Sequence, residues 1–243
     1  MPVTFHACRF AYRRHRPVFT NLDLTLPEGL SVLLGPNGAG KSTLLGLAAS
    51  VLQPAAGTVT YRGRDTRRTR DRRAHRRAVG FMPQHIAPVP GLTVREQVAY
   101  AAWLKGSNRA DAWSASAAAL ARVGLTKLDA RRSHELSGGQ LRRVGLAQSL
   151  VRDAEVVLMD EPTAGLDPRQ AERFVRLLAE VTQDTHVVVS THQIADVADV
   201  YTTVTVLDRG VVRFQGSTGE FLSHAASGRA AAAAYASLVD EEE

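Results

Sequence analysis

Gly35-Pro36-Asn37-Gly38-Ala39-Gly40-Lys41-Ser42-Thr43 fits the pattern G-x-x-x-x-G-K-[ST], and its flanks decide how it reads. Leu30 to Leu34 (LSVLL) is a short apolar run that reads as a buried strand, and Ser42 to Ala49 (STLLGLAA) reads as a helix. Strand, glycine-rich turn and helix is the context in which this pattern cradles phosphate. The glycines let backbone N–H groups close around phosphate oxygens without Cβ clashes, and the helix N-terminus adds a partial positive charge. Lys41 supplies a point charge for the β- and γ-phosphates, and the Ser42 hydroxyl is placed to ligate Mg²⁺.

The bulk of the chain narrows the setting. Its 243 residues suffice for a large core in one domain, or a domain with a subdomain. Cys8 stands alone, so there is no disulfide framework and a reducing compartment is consistent. No apolar run approaches the length that spans a bilayer, and the start, MPVTFHACRFAYRRHR, lacks the apolar centre of a secretory leader. The expectation is a cytoplasmic chain that reaches a membrane only through a partner or its surface. The formal charge of +6 is unevenly placed: nine arginines lie between Arg62 and Arg77. Such a run suits nucleic acid or anionic lipid. No aromatic follows Tyr61 within it, so the stacking platform of a single-strand binder is missing. The run reads as a solvated sheet edge and connector, with no specific nucleic-acid binding.

Along the chain, Val3 to Phe10 and Leu22 to Leu26 read as strands, with Tyr12 just after the first, where an aromatic can stack on a base. Gly57 to Gly63 and Val79 to Met82 are further strands, and Gln84 is a lone polar residue after the second. The prolines at 88 and 90 forbid a regular element over residues 85–90. Thr93-Val94-Arg95-Glu96 fits a capping box, so a helix runs from Val94 to about Lys105; a second follows from Arg109 to Val123. At 100° per residue, Val94, Val98 and Ala101 fall on one face of the first helix, and Glu96, Tyr100 and Trp103 on the opposite one. Two outward aromatics predict a partner surface. Leu136-Ser137-Gly138-Gly139-Gln140 opens a third helix, Leu141 to Val151, and makes a second anion site that has no lysine of its own. Glu155 to Met159 is a buried strand with Asp160 and Glu161 at its C-terminal end, where open α/β sheets place ligands. Thr163 to Asp167 is a loop, Pro168 to about Thr182 a helix, and His186 to Ser190 a buried strand ending in Thr191-His192. A hairpin spans Thr203 to Phe214, and Ser217 to Leu238 reads as helical before an acidic tip, Asp240 to Glu243.

Taken together, these motifs resemble the nucleotide-binding ATPase subunit of ATP-binding-cassette proteins, over about Val3 to Leu222. LSGGQ at 136–140, between the phosphate loop and VVLMDE at 156–161, is the specific signal, with Gln84 before it and His192 after. The resemblance implies an α/β fold: a P-loop NTPase core with an N-terminal antiparallel β subdomain and an inserted α-helical signature subdomain. It implies a cassette domain over 1–224, with a core of 1–87 and 152–224, a helical subdomain of 88–151 and a tail of 225–243. Residue by residue, it implies that Tyr12 stacks on adenine. Asn37, Gly38, Ala39, Gly40, Lys41, Ser42 and Thr43 would hold the phosphates of ATP. Ser42, Gln84 and Asp160 would serve Mg²⁺. Glu161 would be the general base, Gln84 would sense the attacking water and His192 would contact the γ-phosphate. Two cassettes would face head to tail, so that Ser137, Gly139 and Asp167 of one chain complete the site of the other, most simply as a homodimer. Gln148, Ala164 and His134-Glu135 depart from the usual pattern without removing a catalytic group.

The implied function is ATP hydrolysis that powers a membrane transporter, with a transmembrane permease subunit as partner and the cytoplasmic face of the membrane as its place. GLTVREQVAYAAWLKG after Gln84 and AQSLVRDAEVVLMDEPTAGLDP look most like exporters of drugs, lipids or antibiotics. The alternative is a soluble cassette ATPase acting on ribosomes, nucleic acid or cofactor assembly. Those relatives usually carry two cassettes or a long coiled-coil insertion, and this sequence has neither.

Overall fold

A computed structural model describes residues 3–13, 16–181, 185–192, 200–224 and 230–239. Strands β1 (Val3–Arg13) and β2 (Arg16–Thr25) form an antiparallel pair, followed by β3 (Leu30–Leu34) and helix α1 (Lys41–Ala48). β4 (Ala56–Tyr61) and the two-residue β5 (Arg64–Asp65) join β1 and β2 in a four-stranded antiparallel sheet of order β2-β1-β4-β5. Helix α2 (Thr69–Ala78) and β6 (Val79–Met82) come next, then α3 (Val94–Leu104), α4 (Arg109–Arg122) and α5 (Gly138–Leu150), which pack on one another. β7 (Val156–Asp160), α6 (Pro168–Val181), β8 (His186–Thr191), β9 (Thr203–Asp208), β10 (Val211–Ser217), α7 (Thr218–Ser223) and α8 (Ala230–Leu238) complete the described chain.

The larger sheet has the order β10-β9-β3-β8-β7-β6, parallel except for β10 at its edge. Its inner strands are buried on both faces, which is why they read as continuous apolar runs rather than alternating ones. Successive residues serve opposite layers. Leu33, Val156, Leu158 and Val188 pack with α1 and the smaller sheet, against Phe5, Phe19, Leu44 and Leu45. Val32, Leu34, Val157, Met159 and Val189 pack on the other side with Val98, Leu120, Leu146 and Phe174 of the helices. Burying each such side chain stabilises the fold by about 1.5–3 kcal/mol. The parallel register sets Asp160 beside Ser190 and Leu34 beside Thr191. The phosphate-loop turn and both carboxylates therefore leave the same C-terminal edge.

Several sequence expectations change. β1 runs on to Arg13, so Tyr12 lies within it; β2 starts early enough to pair Ala11 with Pro17 and Arg13 with Arg16. The arginine run is not simply a sheet edge and connector: only Arg64–Asp65 is an edge strand, and residues 69–78 form α2. Arginine is a good helix former, and His75, buried with Nε2 2.6 Å from the Ala48 carbonyl, fixes α2 against the end of α1. One inward residue in ten gives no apolar period to read. α5 begins at Gly138, not Leu141: Ser137 caps it, accepting from Gln140 N–H while the Gln140 side chain accepts from Ser137 N–H. The capping box of α3 is present as read, with Glu96 accepting from Thr93 N–H at 2.7 Å. Residues 217–238 contain two helices, α7 and α8, instead of one. Thr182 and the tip from Asp240 to Glu243 lie outside the described residues.

Candidate functional site

Gly40 is the N-cap of α1 and has φ 107°, a left-handed conformation that a side chain resists; it gives α1 no capping side chain. The first-turn N–H groups of α1 thus have no side-chain acceptor and face the loop, which suits an anion. Asn37 and Gly38 are exposed at its tip, whereas Ala39 is buried, its carbonyl accepting from Gly210 N–H at 3.0 Å. Lys41 is buried and its ammonium curls back over the loop, donating to the carbonyls of Gly35 (2.7 Å) and Pro36 (3.1 Å). Burial lowers its pKa from the usual lysine range, and the charges of Glu161 and Asp160 work against that shift. An arriving phosphate would exchange neutral carbonyl partners for anionic ones. Ser42 is exposed. Thr43 Oγ1 and the Tyr12 hydroxyl share a hydrogen bond of 3.2 Å, which sets the Tyr12 ring beside the loop, edge-on to Phe10 and 65% exposed.

The carboxylates end β7. Asp160 is buried and accepts from Ser190 Oγ at 2.7 Å. Glu161 has φ 45°, a left-handed backbone that costs a non-glycine residue about 1–3 kcal/mol. Ser190 holds it there: Glu161 N–H donates to the Ser190 carbonyl (3.1 Å) and to its Oγ (3.0 Å). The turn sends the two carboxylates to different neighbours. Glu161 takes Gln84 Nε2 at 3.2 Å, His192 Nδ1 at 3.0 Å and the Lys41 ammonium at 3.9 Å. Residues distant in sequence, Lys41, Gln84, Asp160, Glu161 and His192, thus gather on one sheet edge.

Ser137, Gly139 and Asp167 form a different group. They lie around the starts of α5 and α6: Ser137 and Gly139 line a groove of about 270 Å³ with Gln170, and Asp167 accepts from Gln170 N–H at 2.9 Å. Among the described residues no hydrogen bond or ion pair joins these three to Lys41 or Glu161.

Two positioning residues escaped the sequence. Ser190 reads as the end of an apolar strand, and only the register with Asp160 reveals it. Arg142, on α5, donates to the Gln84 carbonyl and, at 3.1 Å, to the Ala164 carbonyl, so α5 grips the chain on both sides of Glu161. Ile86 packs close to the same helix: a Cβ at Gly145 of α5 would come within 2.7 Å of its side chain, which would have to shift to admit one.

The arrangement offers one buried lysine charge beside a helix N-terminus, a carboxylate held in place by Gln84 and His192, and oxygen ligands. Hydroxyl, carboxylate and amide oxygens (Ser42, Asp160 and Gln84, whose amide nitrogen is engaged with Glu161) suit a hard cation such as Mg²⁺. No cluster of three or more His, Cys, Asp or Glu side chains that could hold a metal ion appears among the described residues. Nor is any described helix long and apolar enough to cross a membrane.

Comparison with known proteins gives concordant results. A family model described as "ABC transporter" matches residues 19–164. The sulfate/thiosulfate import ATP-binding protein CysA of Mycobacterium bovis is 38% identical over 200 residues, 81% of this chain and 56% of that one. The chain therefore spans little more than half the length of that relative. The energy-coupling factor transporter ATP-binding protein EcfA2 of Lactiplantibacillus plantarum is 38% identical over 236 residues, covering 90% of this chain and 79% of the relative. Among solved structures, the dimeric post-hydrolysis state of the ATP-binding cassette MJ0796 bound to ADP and Pi superposes with a TM-score of 0.77 at 26% identity, covering 89% and 98% of the two chains.

Proposed function

The chain belongs to the ABC transporter family, and from that premise we propose that it is the ATP-hydrolysing subunit of a membrane transporter. The observation that carries this reading is the convergence of Lys41, Gln84, Asp160, Glu161 and His192 on one sheet edge beside the loop of α1. Lys41 and the α1 N-terminus take the β- and γ-phosphates, with residues 37–43 around them and Tyr12 against the base. Glu161 orients the attacking water and accepts its proton, while Gln84 and His192 hold that carboxylate in place. Ser42, Asp160 and Gln84 are the residues for Mg²⁺, which when bound neutralises phosphate charge. Ser137, Gly139 and Asp167, separate from Lys41 within one chain, complete the site of a second copy, as the dimeric cassette among the similar structures supports. Residues 88–151 form the helical subdomain and 1–87 with 152–224 the core. The export direction implied by the resemblance finds no backing in the CysA relative, which is named for import.

Ser190 gives the reading a sharp test. Ser190→Ala removes a hydrogen bond to a carboxylate and one support of the Glu161 backbone, a loss of about 1.5–3 kcal/mol. Turnover should fall roughly ten- to hundredfold at unchanged ATP affinity, and Ser190→Thr should recover most of it. A Ser190→Ala chain that turns over ATP at the parental rate removes Ser190 from the site.

A membrane partner has its own surface. Val94, Val98 and Ala102 of α3 are buried, whereas Tyr100 and Trp103 are 45% and 55% exposed and stack on each other at 5.8 Å. This pair is the proposed docking point for a transmembrane subunit, which would hold the chain at the cytoplasmic face. Tyr100→Ala with Trp103→Ala should lose co-purification with that subunit while basal ATP turnover persists. A soluble double variant that still co-purifies moves the docking surface elsewhere.

A further inference from the structure

The arginine-rich segment remains unused by the reading above. Measured from buried His75 at 100° per residue, Arg70, Arg73, Arg76 and Arg77 fall roughly 100° to 220° away, on the outward face of α2. Arg64, Arg67 and Arg68 precede them and are exposed. Arg62 pairs with Glu155 and Arg67 with Asp65, whose carboxylate also feels the charge of Arg68, but Arg64, Arg70, Arg73 and Arg77 have no carboxylate within ion-pair distance among the described residues. Like charges at i,i+3 and i,i+4 repel, so this face is held against its own electrostatics. An anionic partner would relieve that repulsion.

What borders the face tells which anion. Arg76 donates to Ser50 (Nε to Oγ at 2.9 Å, Nη2 to the carbonyl at 2.7 Å), the neighbour of Val51, which is 60% exposed. Arg77 lies within 3.3 Å of where a Cβ on Gly106 would sit, just past Leu104, which is 63% exposed. The basic face therefore runs into exposed aliphatic side chains and on to the aromatic pair of α3. Arginine beside apolar side chains suits the headgroup and acyl boundary of an anionic bilayer. A single-stranded nucleic acid would want aromatics within the basic face, and α2 has no Phe, Tyr or Trp. The cytoplasmic loops of membrane proteins are themselves rich in Lys and Arg, so a transmembrane subunit would not neutralise these arginines.

We infer that the outward face of α2, with Val51 and Leu104 at its rim, binds anionic phospholipid headgroups beside the transporter. This deepens the membrane-attached reading, but its test uses the full chain without any membrane subunit. Sedimentation with vesicles of phosphatidylcholine, alone or mixed with phosphatidylglycerol, should show binding only to the mixed vesicles, weakening as salt rises. Arg70→Gln/Arg73→Gln/Arg77→Gln should reduce that binding roughly a hundredfold, at about fivefold per arginine, and leave ATP turnover unchanged. Equal binding to both vesicles, or a triple variant that binds as the parent does, overturns the inference. So does an RNA or DNA oligonucleotide bound more tightly than mixed vesicles at physiological salt, which would make the face a nucleic-acid surface. Turnover and vesicle binding are read separately, so either can fail while the other stands.

Discussion

Glu161→Gln is expected to bind Mg-ATP and to hydrolyse it about two to four orders of magnitude more slowly, the usual contribution of a general base. The substitution is nearly isosteric. The amide can still meet Gln84 and His192, now at 3.2 and 3.0 Å from the carboxylate, and the backbone stays pinned to Ser190. Only the capacity to take a proton and the negative charge are lost. Removing that charge beside Lys41 also eases repulsion toward ATP, so bound nucleotide should persist. With Mg-ATP present, light scattering should then report twice the monomer mass, because the Ser137 and Gly139 of each chain find a stable phosphate in the other. Hydrolysis at the parental rate would exclude Glu161 as the base; a strict monomer at high concentration would count against the head-to-tail pair.

Lys41→Ala should act one step earlier, on binding. A charged hydrogen bond contributes about 1.5–3 kcal/mol, so nucleotide affinity should fall roughly ten- to hundredfold. The alanine also leaves Glu161 and Asp160 without the cation whose charge they feel, and both then repel the incoming phosphates. Titration with a fluorescent nucleotide measures this directly, and unchanged affinity would remove residues 35–43 as a phosphate site. Thermal unfolding serves as the control, since the lost partners are carbonyls of its own loop.

What was legible in the sequence was local. The strand, turn and helix around Lys41 are contiguous, and so are Thr93 with Glu96, whose capping box forms as read. The outward aromatics of α3 followed from a fixed angle per residue, and both are exposed. The roles of Asp160, Glu161 and His192 came from resemblance, and their convergence with Lys41 is a matter of strand order, which no local pattern carries. Ser190 and Arg142 were illegible for the same reason. One acts across a strand register and the other across a gap of 58 residues, from α5 to Gln84. The start of α5 lies three residues earlier than its sequence indicates, because two glycines weigh against a helix while the reciprocal bonds of Ser137 and Gln140 outweigh them.

The grip of Arg142 and Gly145 on the segment at Gln84 and Ile86 makes α5 a lever with two loads. Its cap, Ser137, would press on the phosphates held by a second copy, and its next turn fastens the backbone of Gln84 beside this chain's own Glu161. Both contacts belong to one unbroken helix of 13 residues. In the proposed pair, then, closing on a neighbour's nucleotide would bear on Gln84, which holds the Glu161 carboxylate of one's own site, and the two catalytic centres would be mechanically interlocked rather than merely adjacent.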